Sequence, residues 1–426
     1  MHQLAIFIYR IIIQVYGIGI RLAAIFSPKA RLWTVGRKNI FSELSLAFQT
    51  EDAPIIWMHC ASLGEFEQGR PLIEHFKTDY PNYKLLLTFF SPSGYQIRKN
   101  YPLADYVFYL PLDTPKNANQ FLAITQPKLV FFIKYEFWYF YLNALQQRKI
   151  KHYLIAGTFR KSQFFFKKYA KWYLRVIQGF DYLFLQEADS KKLLVQYEIN
   201  HCEVVGDTRI DRVLGIATKA PAIPLIQQFK RNRNLLMLGS AHPKDLQIFF
   251  AALSKIIPKQ YYENWCFLIA PHEIDEKSIR QIEAWSPIAT YRFSEMESPI
   301  IYQKDAILIL NTIGQLSTAY QYAEAVFIGG GFDKSIHNIL EPAVFGMPIT
   351  FGPNYHRFIE AVELVKQEGA IPIQSVDEFI AWFERLQIAT YRQEKGAICR
   401  TYTWQNKGAT NKIINYLNKK NILKPI

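Results

Sequence analysis

Cysteine is scarce in this chain of 426 residues, and its four cysteines lie far apart. They stand at Cys60, Cys202, Cys266 and Cys399, with no C-x-x-C pair among them. Disulfide frameworks and cysteine zinc sites need several cysteines at short spacings, so the sequence predicts neither. This cysteine usage is typical of a reducing compartment.

Histidine spacings that build a local metal site are also absent. His242, His272, His337 and His356 share no pattern such as H-x-x-x-H. A lone histidine is more often structural than catalytic, so the sequence predicts no metal.

The N-terminus lacks an uninterrupted apolar run long enough to cross a bilayer. Residues 4–26 are almost wholly apolar, but Arg10 and Arg21 divide them into stretches well short of about 20 residues. Basic residues follow at once, at Lys29, Arg31, Arg37 and Lys38. This pattern favours a segment, residues 1–40, that lies in or is anchored at the cytoplasmic face of a membrane. A hydrophobic helix that caps the first domain is the alternative.

Acidic residues are outnumbered by basic ones, which gives a net charge of +14 and predicts an anionic partner. Nucleic acid, an acidic membrane surface and a phosphorylated substrate all fit. Between Arg148 and Arg175 no acidic residue occurs, and lysines alternate with aromatic residues. With the apolar N-terminus, this segment favours a membrane surface. A helix with an aromatic core face and a solvated lysine face is the competing interpretation.

The length predicts two domains, and a composition that is half apolar supplies their cores. From Pro54 onward, strand-like apolar runs alternate with amphipathic segments, which is typical of parallel sheets wrapped by helices. The predicted strands are Ile55–Cys60, Lys84–Phe89, Tyr106–Leu110, Leu129–Ile133, His152–Ala156, Tyr182–Leu185, Glu203–Val205, Leu235–Gly239, Cys266–Ala270, Ala289–Phe293, Ile307–Leu310, Ala325–Ile328 and Ile349–Phe351.

A break over residues 217–234, with two prolines and a run of charge, marks the predicted domain junction. We therefore predict an α/β fold of two Rossmann-like, doubly wound domains, over residues 41–216 and 217–426. A cleft between two such domains would place ligands at the carboxyl ends of strands from both sides.

The stretch from Ala323 to Pro353 reads as strand, glycine turn, helix and second strand. Three glycines at 329–331 would let the backbone approach a ligand closely. A helix is predicted to start near His337 or Asn338, with Glu341 placed as in a capping box. Its N–H groups make an anion site, and an ordinary well-capped βαβ turn is the equal alternative.

In the first domain, polar turns follow the predicted strands. The first strand delivers Glu65 at the start of a helix predicted near Phe66. A carboxylate at the mouth of a cleft can act as a general base, although acidic residues in a first helical turn are common. Past the last strand, Arg209 and Arg212 offer planar forks that suit a carboxylate or phosphate.

Together these turns resemble the 3-deoxy-D-manno-octulosonic acid (Kdo) transferases of lipopolysaccharide biosynthesis, over nearly the whole chain. The motifs that carry the resemblance are Ser62-Leu63-Gly64-Glu65, Ser91-Pro92-Ser93-Gly94, Tyr109-Leu110-Pro111-Leu112-Asp113, Glu136-Phe137-Trp138, Gly239-Ser240-Ala241-His242, Asn311-Thr312-Ile313-Gly314-Gln315 and His337-Asn338-Ile339-Leu340-Glu341-Pro342. Each is short, but their order and spacing are specific.

The resemblance implies a GT-B glycosyltransferase with an acceptor-binding first domain and a CMP-sugar-binding second domain. It would transfer Kdo from CMP-Kdo to a lipid A precursor, lipid IVA, at the cytoplasmic face of the inner membrane. Neither a metal nor another cofactor nor a nucleic acid partner is implied. Glu65 matches the family's catalytic glutamate, which acts as base on the acceptor hydroxyl. Arg209 falls at a basic position that stabilises the transition state. By position, the donor site comprises Pro271, His272, Ile313, Gly314, Gln315, Asn338, Ile339, Leu340 and Glu341.

The chain departs from the family pattern at two places. Lys134 stands where many members have Glu, a position to which the family resemblance would assign a role in the transition state. We expect Glu136 to take part of that role. Ser335 and Ile336 stand where many members have a glycine pair. Two other functions stay open: a GT-B transferase for another nucleotide sugar, and a non-catalytic protein that binds membrane or nucleic acid.

Overall fold

The chain divides into two compact units in the computed structural model, which describes residues 2–296 and 306–423. The first unit runs to Asp211 and resumes at Gly408, and the second comprises Arg212–Lys407. The sequence assigned all of residues 217–426 to the second domain, whereas the contacts place the segment from residue 408 in the first unit.

The first unit is built on a parallel sheet with the strand order β3-β2-β1-β4-β5-β6-β7. This order reverses direction between β1 and β4, as in a Rossmann fold. The strands are β1 Ile55–Cys60, β2 Lys84–Phe89, β3 Tyr106–Tyr109, β4 Leu129–Ile133, β5 Lys151–Gly157, β6 Tyr182–Leu185 and β7 Cys202–Val204.

Helices cover both faces of this sheet, so its central strands are buried. They are α1 His2–Ala23, α2 Pro28–Val35, α3 Ile40–Ala47, α4 Leu63–Asp79, α5 Pro92–Arg98, α6 Pro115–Thr125, α7 Tyr139–Gln147, α8 Leu174–Gln178, α9 Ala188–Val195 and α10 Thr208–Lys219, the last of which leads into the second unit. Two 3-10 turns, Phe164–Phe166 and Lys168–Tyr173, precede α8.

The second unit has its own parallel sheet, in the order β10-β11-β9-β8-β12-β13-β14. Its strands are β8 Asn234–Ala241, β9 Trp265–Pro271, β10 Ala289–Arg292, β11 Ala306–Ile309, β12 Ala325–Ile328, β13 Ile349–Phe351 and β14 Ala370–Pro372. Its helices are α11 Pro224–Lys230, α12 Pro243–Ile256, α13 Glu276–Trp285, α14 Leu316–Ala319, α15 Leu340–Phe345, α16 Ile359–Lys366, α17 Val376–Arg385 and α18 Ala389–Gln405.

Helix α19, Ala409–Lys419, returns to the first unit because that unit buries its apolar face. Ile413 and Leu417 are fully buried in the core on one side of the first sheet. The Asp211 carboxylate accepts hydrogen bonds from the backbone N–H groups of Gly408 (2.5 Å) and Thr410 (2.7 Å). These two bonds satisfy N–H groups that the start of α19 leaves unpaired.

Helix α1 is held against the first unit by one face. The Tyr9 hydroxyl donates to Oδ2 of Asp113 at 2.7 Å, and the Tyr9 ring packs on Tyr139 and Phe140. The opposite face exposes large apolar side chains: Leu4, Phe7, Ile8, Ile11, Ile12, Val15, Ile18 and Leu22. Over the described residues, the helix Gln3–Ala23 is the one that is long and apolar enough to cross a membrane, a test that signal sequences and buried helices also pass.

The structure confirms the predicted fold class and most strand positions. Six strands keep their predicted bounds: β1, β2, β4, β6, β12 and β13. Strand β14 was missed, because it has three residues, lies at the sheet edge and ends in Pro372, a residue that argues against a strand in sequence.

The basic aromatic segment contributes more to the core than the membrane interpretation predicted. Phe165, Phe166 and Tyr173 are buried in the first unit, while Phe164 and Tyr169 are exposed. The competing interpretation, aromatic rings packed inward, therefore fits most of the segment. Its backbone forms 3-10 turns and the short α8 rather than one long helix.

Candidate functional site

Glu65 lies where the strand order of the first sheet reverses, at the carboxyl end of β1. The predicted helix start near Phe66 is three residues late, since α4 begins at Leu63. Ser62 is the N-cap, and its N–H donates to Oε2 of Glu65 at 2.9 Å. Glu65 therefore serves the common capping role as well as pointing a carboxylate at this edge of the sheet.

The Glu65 carboxyl holds its proton far more strongly than an ordinary glutamate. Burial and the nearby Glu136 carboxylate raise the pKa of Glu65 to about 7, against the opposing effects of the Ser62 N–H and the Lys134 ammonium. A general base works best when its pKa lies near the operating pH. Glu65 is thus matched to proton transfer at neutral pH.

Glu136, which follows β4, is fixed by a buried network of hydrogen bonds. Its Oε2 lies 2.6 Å from Trp138 Nε1 and 3.1 Å from His59 Nε2. Trp57 Nε1 donates to the Thr88 hydroxyl at 2.8 Å, and that hydroxyl lies 2.9 Å from His59 Nδ1. Since Thr88 can donate to Nδ1, the network places the His59 proton on Nε2, facing Glu136.

Lys134 adopts an unusual backbone conformation between β4 and Glu136. Its φ is 71°, in the left-handed region, which costs a non-glycine residue about 1 kcal/mol or more. Its N–H donates to the Ile155 carbonyl at 2.8 Å. The charge of Lys134 lowers the pKa of both Glu65 and Asp207, so the ammonium lies near both carboxylates.

Arg209 is held by Asp207 through a fork of short contacts. Its Nε lies 3.1 and 3.0 Å from the two carboxylate oxygens, and its Nη2 lies 2.5 Å from Oδ2. Burial raises the pKa of Asp207, but the Arg209 charge and hydrogen bonds outweigh it, so the net pKa is lowered. This half-buried, charged pair keeps the guanidinium in one orientation.

The first unit thus brings the two predicted catalytic residues into one electrostatic neighbourhood. The Lys134 charge lowers the pKa of both Glu65 and Asp207, and Asp207 forms an ion pair with Arg209. The neighbourhood combines one carboxylate that can accept a proton with two cations, Lys134 and Arg209, the second of which Asp207 holds in place. This combination can deprotonate a hydroxyl and stabilise negative charge nearby.

In the second unit, the carboxyl ends of β9, β8 and β12 are adjacent, and each delivers a histidine. The Nε2 atoms of His242 and His337 are 2.9 Å apart, and the rings of His242 and His272 stack with centroids 4.3 Å apart. Burial and the other two imidazoles lower the pKa of His337 to about 4. Burial, followed by the His242 charge, lowers the pKa of His272.

The residues predicted to bind the donor follow three strands of the second sheet. Pro271 ends β9 with His272 after it, the turn 313–315 follows β11, and residues 338–341 follow β12. All strands here are parallel, so these turns lie along one edge of the sheet. Ile313 and Gly314 are exposed, and the Gln315 side chain accepts from Thr312 Oγ1 at 2.6 Å.

The helix predicted near His337 or Asn338 starts later and is short. Helix α15 has six residues, beginning at Leu340, with Ile339 as N-cap. Asn338 Oδ1 accepts from the Leu340 N–H at 3.2 Å, and its amide donates to Glu341 Oε1 at 3.1 Å. Asn338 and Glu341 therefore contact each other, but the predicted capping box was wrong because the Asn338 turn delays the helix.

The three glycines after β12 admit neighbouring backbone rather than an open approach. A Cβ at Gly329 would collide with Ser240, and one at Gly331 would collide with Gly352. Gly330 has φ of 89°, and a Cβ there would meet the Ser335 carbonyl. Close packing of the backbone within the unit therefore requires glycine at these three positions, and a ligand approach at this turn stays a prediction.

Comparison with known proteins shows similarity to one family of enzymes. Residues 37–212 match the model of the 3-deoxy-D-manno-octulosonic-acid transferase family. The Kdo transferase of Chlamydia muridarum is 26% identical over 330 residues, covering 74% of each chain. That of Aquifex aeolicus is 24% identical over 318 residues, covering 74% of this chain and 80% of its own. The chain is thus similar to the Kdo transferases over about three quarters of its length. It is a glycosyltransferase.

Solved structures place this glycosyltransferase among GT-B folds. UDP-GlcNAc 2-epimerase from Neisseria meningitidis aligns with a TM-score of 0.60 at 16% identity, over 86% of this chain and all of that chain. Acinetobacter baumannii MurG aligns with a TM-score of 0.52 at 11% identity, over 86% of this chain and 99% of its own. Both similarities concern the fold alone.

Two features of this glycosyltransferase were not predicted from the sequence. The hydrogen-bond network of Glu136 was missed because His59 and Thr88 lie within apolar strands. Polar residues in such strands are usually interpreted as structural. The histidine cluster was missed because its members are far apart in sequence. A clue was available, since His242 and His272 were each placed directly after a predicted strand.

Proposed function

We propose that this enzyme transfers Kdo from CMP-Kdo to a lipid A precursor, lipid IVA, in the synthesis of the lipopolysaccharide inner core. The observation that carries the proposal is the Glu65 carboxyl, placed at the reversal of the first sheet with a pKa of about 7. Similarity to the Kdo transferases supports Kdo as the sugar, and the site supplies a base.

Glu65 acts as the general base. Its carboxylate takes the proton of the acceptor's sugar hydroxyl while the hydroxyl oxygen bonds to the anomeric carbon of Kdo. The bond from that carbon to the CMP phosphate breaks, and CMP leaves with the electron pair. Only deprotonated Glu65 can accept the proton, so Lys134 assists by favouring the carboxylate.

Arg209 stabilises the negative charge that develops in the transition state. Its fork with Asp207 holds the guanidinium in place, so little reorganisation is needed as the reaction proceeds. Positive charge from Arg209 and Lys134 serves the role that a metal ion has in other transferases, and we propose that transfer needs no metal.

The donor binds in the second unit. Residues 338–341 contact the ribose and phosphate, with Glu341 accepting hydroxyl groups. Pro271, His272 and the turn 313–315 line the same edge of the sheet. The exposure of Ile313, at 88%, leaves that side chain available to pack against the nucleotide.

Helix α1 attaches the enzyme to the cytoplasmic face of the inner membrane by lying on it. Its inner face is engaged with the first unit through Tyr9 and Asp113, while its outer face is apolar. Arg10 and Arg21 are three helical turns apart, so they lie on one side of the helix and suit lipid phosphates. This position would bring the first unit to a membrane-borne acceptor.

Donor selection tests the proposal. Purified enzyme with lipid IVA in detergent should release CMP from CMP-Kdo and yield a lipid heavier by Kdo residues, measured by mass spectrometry. UDP- and GDP-sugars should yield no product. Addition of EDTA should not lower the rate. Turnover with a UDP-sugar alone would instead indicate a GT-B transferase of different donor specificity.

A further inference from the structure

The histidine cluster has no role in the proposed transfer as a group. Only His272 belongs to the donor residues, yet the ligand atoms of His242, His272 and His337 lie within 4.8 Å of one another. Each follows a different strand, and the three strands are neighbours in the sheet. The fold therefore assembles the cluster from positions 30 to 95 residues apart.

We propose that His242, His272 and His337 bind a divalent transition-metal ion, with Zn²⁺ as the expected occupant. Imidazole nitrogen is a preferred zinc ligand, and three histidines with one open position form a known donor set. This site goes beyond the proposed transfer, which uses no metal.

The spacing of the ring nitrogens is close to what the ion requires. Two nitrogens at about 2.0–2.1 Å from one tetrahedral ion lie about 3.3 Å apart. The Nε2 atoms of His242 and His337 are 2.9 Å apart, so they need to move only slightly farther apart to bind one ion. The proton now shared between them would leave that position, and His337 would carry its proton on Nδ1. His272 is the most exposed of the three, so its ring is free to adjust.

Asp333 supports the cluster from behind. Its Oδ2 lies 3.4 Å from His242 Nδ1, and its Oδ1 lies 3.2 Å from Lys244 Nζ. A carboxylate behind a histidine fixes the tautomer with the proton on Nδ1, which leaves Nε2 as the ligand atom. Metal sites commonly have this arrangement, whereas a simple ring stack does not need it.

Zinc and donor should exclude each other, a consequence that rests on the proposed function because His272 belongs to both sites. Zn²⁺ is then expected to weaken CMP binding to the wild type. His242→Ala removes a zinc ligand but leaves the donor residues intact, so its CMP binding should be the same with and without zinc. Independent binding of zinc and CMP to the wild type would contradict this competition.

The metal site is tested on full-length enzyme stripped with a chelator and dialysed. Calorimetric titration with ZnCl₂ should show one ion per wild-type chain. His337→Ala and His272→Ala should each weaken binding more than tenfold, and Asp333→Asn about tenfold. His356→Ala, an exposed histidine of the same unit outside the cluster, is the matched control and should bind as the wild type does.

Thermal unfolding of each variant identifies loss of fold. Should His337→Ala unfold, His272→Ala decides, because that side chain is exposed. Absence of zinc binding in the wild type, or equal binding by the wild type and His272→Ala, would overturn the proposal. The transfer assay with EDTA is independent: a chain that binds zinc but does not transfer Kdo would contradict only the proposed function.

Discussion

Replacement of Glu65 by glutamine should stabilise the enzyme at alkaline pH, at the expense of activity. The pKa of Glu65 is raised from 4.5 to about 7, so the native state holds this proton more tightly than the unfolded chain. The resulting stability is fully present below pH 4.5 and is lost as pH rises through 7. Glutamine keeps the shape and the bond from Ser62 N–H without acquiring the charge.

The size of the effect follows from the shift. At about 1.4 kcal/mol per unit, the raised pKa corresponds to at most about 3 kcal/mol of unfolding free energy. Part of the Glu65 side chain faces solvent, which makes this an upper value. Wild type and Glu65→Gln should therefore be nearly equal in stability at pH 4.5 and differ by up to about 3 kcal/mol at pH 8.

Urea unfolding at half-unit intervals from pH 4.5 to 9 measures this difference. Glu74→Gln changes a partly exposed glutamate of the same helix, α4, and serves as the control. Its stability difference from the wild type should stay constant from pH 5.5 to 9. A Glu65→Gln curve parallel to the wild type across this range would refute the raised pKa.

Activity should follow the same group in the opposite direction. The transfer rate of the wild type should rise tenfold per pH unit below pH 7 and level off above it, because only the carboxylate accepts a proton. Since the Glu136 charge contributes to the raised pKa, Glu136→Gln should move this midpoint to lower pH. An unchanged midpoint would contradict the coupling of the two carboxylates.

Three further predictions concern other parts of the molecule. Tyr9→Phe removes a hydrogen bond to the buried Asp113, so the pKa of Asp113, about 6, should rise. The variant should lose about 1–3 kcal/mol of unfolding free energy, measured by urea unfolding at pH 8. An unchanged urea midpoint would show that α1 is not held there. Gly330→Ala forces a φ of 89° on alanine and should lower the thermal midpoint by several degrees, since such strain costs about 1–3 kcal/mol; an unaltered midpoint would contradict that conformation. Arg209→Lys keeps the charge but loses the two-atom contact with Asp207. The kcat should fall roughly 30-fold, which corresponds to about 2 kcal/mol of transition-state stabilisation, while CMP affinity is preserved. An unchanged kcat would show that Arg209 does not stabilise the transition state.

Much of the fold could be predicted because buried parallel strands are continuous apolar runs. β1 and β4 are six and five residues long and buried throughout, so their limits are visible in the sequence. The packing of α19 against the first unit could not be predicted, because an apolar helix face can pack against the core of either unit. That choice depends on Asp211 and the core of the first unit.

The candidate site was only partly visible in the sequence. Glu65 and Arg209 stand at strand ends, where parallel sheets place ligands, and the family resemblance named them. Burial, by contrast, is a property of the folded chain. The raised pKa of Glu65 and the hydrogen-bond network through His59 therefore could not be predicted from the sequence. The histidine cluster shows the same limit, since spacing rules detect metal sites only within one local segment.

The most direct test of the account is Kdo transfer by the Glu65→Gln enzyme. CMP-Kdo and lipid IVA are incubated with wild type and variant at pH 8, and the lipid product is quantified by mass spectrometry. The wild type should form product, while the variant should lose about 10²–10⁴-fold in rate yet still bind CMP. Transfer by the folded variant at the wild-type rate would contradict the role of Glu65 as the base.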